Sequence, residues 1–234
     1  MISAVVLTKN EEKNIERCLG SLLWCDEVIV IDDDSDDKTI EIIQNAKAKS
    51  QKLKLKVKIF QSHLGNDFSA QRNIGLEKTK GEWVLFVDTD EVVTKDLAKE
   101  IGEIVAKDNQ TINGFYLKRQ DFFEGKWLKH GETANVKLLR LARKRSGKWQ
   151  GRVHEEWKIT GKAADLTSPL LHYPHETLSE FLKEINYYST IRAQELKENG
   201  SKTKFWQIIF YPKIKFLQNY FLRLGFLDGF SGLV

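Results

Sequence analysis

The sequence predicts an α/β fold: a mostly parallel sheet flanked by helices, then a smaller mixed β region and C-terminal helices. Three observations carry that prediction. Short apolar runs at Ile2–Leu7, Val28–Ile31 and Trp83–Val87 alternate with segments of helical periodicity, the pattern of βα units around a parallel sheet. Trp83–Val87 has no polar break, as suits a strand buried on both faces. Acidic or polar clusters follow the predicted strands at Thr8–Glu11, Asp32–Asp37, Asn66–Asn73 and Asp88–Glu91, and the carboxyl edge of an open α/β sheet is where ligands bind. The divisions fall at 1–110 for the α/β half, 111–176 for a β region of the same domain and 177–234 for terminal helices.

Taken in order, Ile2–Leu7 is the first strand, and Asn10 can cap the helix that carries Ile15, Cys18, Leu19, Leu22 and Leu23. Val28–Ile31 is the second strand, and Ser35 can cap a helix through Ile40, Ile42, Ile43 and Ala46. Leu53–Ile59 alternates apolar residues with lysines, which describes a strand with one wet face at a protected sheet edge better than a nucleic-acid site. A helix through Leu76 precedes Trp83–Val87, and Thr94 caps another with Leu97, Ile101, Ile104 and Val105 on one face. Gly114–Phe123 and Lys126–His130 read as strands around a Glu124-Gly125 turn. Val136–Ala142 and Val153–Ile159 are further strands, and Pro169 and Pro174 bracket a short segment between them. Thr177-Leu178-Ser179-Glu180 is a capping box that opens a helix to about Asn199, closed by Gly200.

With 41% hydrophobic and 30% charged residues the chain is a folded protein rather than a disordered one. Its net charge of +4 hides an uneven distribution: acids gather in the first half and Lys and Arg in the second. Two cysteines, Cys18 and Cys25, without metal or disulfide spacing point to a reducing, cytoplasmic compartment. The start lacks the pattern of a signal peptide, no run is long enough for a membrane span, and the ending at Ser231–Val234 reads as a shortened chain. The segment 204–234 is aromatic and basic. It suits a membrane interface, or else packing on the domain or on a second subunit.

Asp88-Thr89-Asp90 can aim two carboxylates at one Mg²⁺ or Mn²⁺ that completes its shell with water and phosphate oxygens; the same acids can also cap a helix. Convergence with the other clusters favours the metal, because like charges gathered at one edge need a cation or donor-rich ligand. Gly-x-Gly-x-x-Gly and a Gly-Lys-Ser/Thr phosphate loop are both absent, which disfavours a dinucleotide or P-loop site.

The runs Ala4–Glu11, Val30–Thr39, Gln71-Arg72-Asn73-x-Gly75 and Asp88-x-Asp90 resemble, in order and spacing, those of family 2 glycosyltransferases with the GT-A (Rossmann-like) fold. Phe123-x-Gly125-x-Trp127, Lys137-Leu138-x-Arg140-Leu141, Val153-His154-Glu155 and Leu171-His172-Tyr173 resemble more narrowly bacterial lipopolysaccharide inner-core glucosyltransferases. The resemblance implies an inverting, metal-dependent transfer of a sugar, glucose first, from a UDP-sugar to a glycan or glycolipid at the inner face of the cell membrane. It implies donor contacts from Thr8, Asn10, Glu11, Asp33, Arg72 and Asp88, with Asp33 accepting from the uracil N–H. Asp90, with Asp88, would hold the metal, which His172 completes if it is not a structural histidine. Glu155 would be the base, with His154 as neighbour or substitute. The Gln-x-x-Arg-Trp signature of processive synthases is missing, so a single transfer is expected. Two rivals stand beside this reading. An NDP-sugar nucleotidyltransferase would want a glycine-rich basic loop after the first strand, and a non-catalytic sugar- or lipid-binding protein would not need Asp88 and Asp90.

Overall fold

The computed structural model describes residues 1–50, 56–65, 67–107, 109–152, 155–174 and 177–233. The chain forms two units, one of Met1–Lys118 with Lys137–Leu171 and one of Arg119–Val136 with His172–Val234.

The first unit opens with β1 (Ile2–Thr8), α1 (Ile15–Ser21), β2 (Glu27–Asp32), α2 (Thr39–Ser50), β3 (Lys56–Gln61), α3 (Phe68–Lys78), β4 (Trp83–Asp88), β5 (Glu91–Val93) and α4 (Lys95–Lys107). The strands lie in the order β3-β2-β1-β4, all parallel, with Val5 opposite Ile29 on one side and Phe86 on the other. β3 is the edge strand, as its lysines predicted; the first part of that prediction, residues 51–55, lies outside the described residues. Beyond β4 the sheet turns mixed. β6 (Ile112–Phe123), which runs on past Lys118 into the second unit, and β8 (Lys137–Arg143) extend it antiparallel.

Alternate side chains of each strand face opposite ways, so the sheet has two apolar faces. Ala4, Val6, Leu85 and Val87 pack with Leu19, Leu97 and Ile101 of the helices on one side. Val5, Ile31, Val84 and Phe86 meet Leu76, Trp149 and Trp157 on the other. Gly75 permits that second contact: a Cβ there would lie 2.5 Å from Cγ1 of Val5.

Several local expectations change. Asn10 does not cap α1. It adopts φ 53° and crosslinks two loops, its Oδ1 accepting from the N–H of Asp36 at 2.9 Å. Ser35 does not cap α2 either; its hydroxyl donates to Asp32 Oδ1 at 2.6 Å, and the helix starts later, where Asp37 Oδ1 accepts from the N–H of Thr39 at 2.8 Å. β5, β9 (Gly147–Gln150) and β11 (Lys162–Asp165) are additional strands, and β9 pairs antiparallel with β10 (Glu156–Ile159). Their shortness left no period to read. The Thr94 cap stands, its Oγ1 accepting from the N–H of Leu97 at 3.1 Å.

In the second unit, β7 (Lys126–Trp127) pairs with the end of β6 across Glu124 and Gly125, both at positive φ, the geometry of a primed hairpin turn. Phe122, Trp127 and Tyr173 form a ring cluster with centroids 5.0–5.4 Å apart. β12 (Leu170–His172) enters this unit at its last residue. α5 (Leu178–Glu198) is capped as expected, Thr177 accepting from the N–H of Glu180 at 3.2 Å. α6 (Phe205–Leu217) and the short α7 (Phe230–Leu233) complete the unit.

Candidate active site

The candidate site is built on the carboxyl edge of β1, β2 and β4. The loops after β1 and β2 are zipped together. Lys9 Nζ donates to Asp33 Oδ2 at 2.8 Å, Asn10 N–H to Ser35 Oγ at 2.9 Å, Glu11 N–H to Thr39 Oγ1 at 2.7 Å and Glu12 N–H to Asp37 Oδ2 at 3.1 Å. Much of the acidic run 32–37 therefore satisfies backbone N–H groups of its own and the neighbouring loop, a role any charged loop must fill. Thr8 lies at the end of β1 with its Oγ1 buried and without a hydrogen bond among the described residues. Asp33 is buried and also accepts from the N–H of Leu64 at 2.7 Å. Burial pushes its carboxyl up, but the Lys9 ammonium and the Leu64 N–H outweigh that and hold it below the ordinary carboxylate value.

Arg72 sits in the first turns of α3, which Asp67 caps by accepting from the N–H of Ala70. Asn73 anchors the helix to β9: its side-chain amide donates to the carbonyl of Trp149 and accepts from its N–H, at 2.9 and 3.0 Å. This ladder-like pair places the indole of Trp149 against Arg72, whose guanidinium carbon lies 4.7 Å from the ring centroid. Arg72 is only 4% exposed, so it is no surface helix arginine. Its Nη2 donates to Asp88 Oδ1 at 2.8 Å and its Nε to Glu155 Oε1 at 2.6 Å. One guanidinium thus joins the β4 turn to the residue expected to be the base. His154 lies outside the described residues.

The other oxygen of Asp88 accepts from Nη2 of Arg140. Arg140 is buried and also faces Glu91 Oε1 at 3.6 Å, while Glu91 Oε2 accepts from the N–H of Asp88 at 2.9 Å. β8 runs antiparallel to β4, with Leu141 opposite Leu85, which carries Arg140 to the Asp88 end. Sequence reading gave Arg140 and Trp149 no role in the site, and Glu91 only a place in the acidic cluster after Trp83–Val87. The signal for Arg140 was a cation inside the apolar run Leu138–Ala142; buried arginines are found paired. Burial pushes the Asp88 carboxyl up, and Arg140 and Arg72 outweigh it, holding the group well below the ordinary range. This ion-paired state contributes stability above about pH 4, the unfolded carboxylate value, and loses it as pH falls further. The acid limb of the melting-temperature profile should therefore be shallower in Asp88→Asn than in the parent, as scanning fluorimetry from neutral pH downward will read.

Both oxygens of Asp88 thus go to guanidinium groups, an arrangement other than the two-carboxylate metal clamp expected of Asp88 and Asp90. Asp90 differs. Burial raises the Glu11 carboxyl, its hydrogen bond from Asn14 opposes that, and the charge of Asp90 pushes it up again, with Asp37 adding to the effect. Glu11, Asp37 and Asp90 gather closely enough for their charges to act on one another, the setting in which a divalent cation relieves repulsion. Among the described residues, the group of carboxylates and histidine close enough to surround one ion is Asp33, Asp34 and His63. Mg²⁺ or Mn²⁺ carried by a diphosphate needs only one or two protein carboxylates. His172 belongs to the second unit, where its Nδ1 lies 2.9 Å from Asp121 Oδ1. Cys18 Sγ lies 3.5 Å from the carbonyl of Asp88; burial and the surrounding carboxylates push its thiol far up, making it inert.

The family model for Glycosyl transferase family 2 matches residues 3–160. The chain is 27% identical over its whole length to the lipopolysaccharide core biosynthesis glycosyltransferase LpsC of Rhizobium meliloti, covering 85% of that protein. Among solved structures, S. aureus TarS 1–349 in complex with UDP-GlcNAc aligns with a TM-score of 0.55 at 21% identity, over 77% of this chain and 60% of that one. The mannosyltransferase PcManGT from Pyrobaculum calidifontis, in complex with GDP-Man and Mn²⁺, aligns with a TM-score of 0.55 at 15% identity, over 83% and 69%. At these identities the structural likeness speaks for the fold, a mixed sheet flanked by helices of the GT-A kind.

Proposed function

The chain belongs to glycosyltransferase family 2, and from that premise we propose that it is an inverting, metal-dependent enzyme that transfers glucose from UDP-glucose to a hydroxyl of a glycolipid or glycan of the lipopolysaccharide-core kind. One observation carries this reading: the buried guanidinium of Arg72 joins Asp88, on the donor side, to Glu155. A donor-binding turn and a general base must lie that close if a hydroxyl is to attack an activated sugar.

The roles follow from position and chemistry. Asp33 keeps an ionised carboxylate whose remaining lone pairs can accept from the uracil imide N–H. Thr8 Oγ1, buried and unsatisfied among the described residues, and Glu11 line the nucleoside side, and Asn10 holds their loop. Arg72 Nη1, buried and without a hydrogen bond among the described residues, is a donor that a diphosphate oxygen can satisfy. Arg140 holds Asp88 and with it the β4 turn. Asp90 would hold Mg²⁺ or Mn²⁺, which when bound neutralises charge on the departing nucleoside diphosphate. Glu155 accepts the proton of the acceptor hydroxyl as the oxygen attacks the anomeric carbon from the face opposite the leaving group, which inverts its configuration.

The reading is tested by incubating the chain with Mn²⁺, radiolabelled UDP-sugars and native membrane lipids. UDP-glucose should label a lipid fraction above the other donors; labelling from none of the UDP-sugars contradicts the proposal.

A further inference from the structure

The largest anomaly in the molecule lies in the second unit. α6 and the turns after it expose apolar side chains that a soluble surface would cover. Phe205 is 78% and Leu222 81% exposed, and Trp206, Phe210, Tyr211 and Ile214 are each more than half exposed. At 3.6 residues per turn, the exposed apolar positions of α6 go round the whole helix. A helix apolar on all sides belongs inside something. α6 has 13 residues, about 20 Å at 1.5 Å per residue, and the hydrocarbon core is about 30 Å thick. No helix among the described residues is long and apolar enough to cross a membrane.

Charge chooses among the possible occupants. From Gly200 to Leu227 the sequence has five Lys or Arg and no Asp or Glu. Two of those cations are held from within the unit: Glu132 Oε1 accepts from Lys215 Nζ at 2.7 Å and lies 3.6 Å from Arg223 Nη1. That anchoring, with Asp228 accepting from the N–H of Lys129 and His130 at 3.0 and 2.8 Å, fixes the segment while Lys202, Lys204 and Lys213 stay exposed. A two-fold dimer through this patch would set like surface against like surface and bring those lysines together. An anionic lipid surface neutralises them and receives the rings.

We propose that residues 202–227 form a docking surface for an anionic membrane, with α6 sunk into the near leaflet rather than crossing the bilayer. The inference stands on this patch alone and does not need the glycosyl transfer reading, although a glycolipid acceptor would be met on the same surface.

The test is cosedimentation of the full chain with vesicles of phosphatidylcholine alone and of phosphatidylcholine mixed with phosphatidylglycerol. Binding should require the anionic lipid and weaken with salt. Replacing Lys202, Lys204 and Lys213 by Gln should weaken it about 100-fold, at roughly fivefold per lysine near a charged surface. Phe205→Ser with Phe210→Ser should weaken binding to the anionic vesicles at any salt. A UDP-induced rise in melting temperature, unchanged in each variant, shows that the first unit remains folded. Equal binding to both vesicle types, binding to neither, or a concentration-dependent dimer that leaves vesicles unbound would each overturn the proposal, and with the UDP response intact would leave the transfer reading standing.

Discussion

Replacing Glu155 by Gln should reduce sugar transfer roughly 10²–10⁴-fold, the usual contribution of a positioned general base, and leave UDP affinity unchanged. The side-chain amide oxygen of Gln can still accept from Arg72 Nε, which in the parent lies 2.6 Å from Glu155 Oε1, so the guanidinium keeps its place against Asp88. What disappears is the group that takes the acceptor proton. Steady-state turnover and UDP titration on the same preparation separate the two quantities. A variant that turns over normally would move the base elsewhere, with the neighbouring His154 the first to replace.

The second large effect belongs to Arg72. Arg72→Met should lower stability by about 3 kcal/mol, toward the lower end for breaking a buried ion pair by removing one partner. The value is not larger because Arg140 still neutralises Asp88, whose side chain keeps 32% of its surface. In a chain of this size that is a fall of about 6–12 °C in melting temperature. Arg72→Lys separates structure from chemistry. An ammonium keeps the charge near Trp149 and Asp88 but cannot fork to two carboxylates in a plane. It should recover most of the stability and little of the transfer. Thermal scans and transfer assays of the two variants check this, and full transfer in the Lys variant would show that the fork is dispensable.

How far the sequence discloses this protein depends on the length of each signal. The uninterrupted run Trp83–Val87 and the alternation ending at Ile59 were long enough to show a central and an edge strand. The caps Thr94 and Thr177 and the Glu124-Gly125 turn were legible because each depends on residues adjacent in sequence. β9 and β11, at four residues each, carry no readable period. The acids at 32–37 looked like ligands in waiting, yet Asp32, Asp33 and Asp37 accept hydrogen bonds within their own loop and from the loops after β1 and β3. Long-range pairing was the hardest to see. Arg72 and Glu155 are 83 residues apart and Asp88 and Arg140 are 52 apart; nothing local in any of the four announces its partner, and only the antiparallel return of β8 beside β4 puts Arg140 where it is needed. The resemblance of Gln71-Arg72-Asn73 to a family pattern pointed at Arg72 without saying that Asn73 serves β9 rather than a ligand.

The most direct measurement is calorimetric titration of UDP into the chain with and without Mn²⁺, for the parent and for Asp90→Ala. Binding that strengthens with Mn²⁺ in the parent, and loses that strengthening in Asp90→Ala while the protein stays folded, is the result expected if the β4 turn holds a metal-bridged diphosphate. UDP binding that ignores Mn²⁺ in the parent, or an Asp90→Ala variant that responds to Mn²⁺ as the parent does, would contradict it.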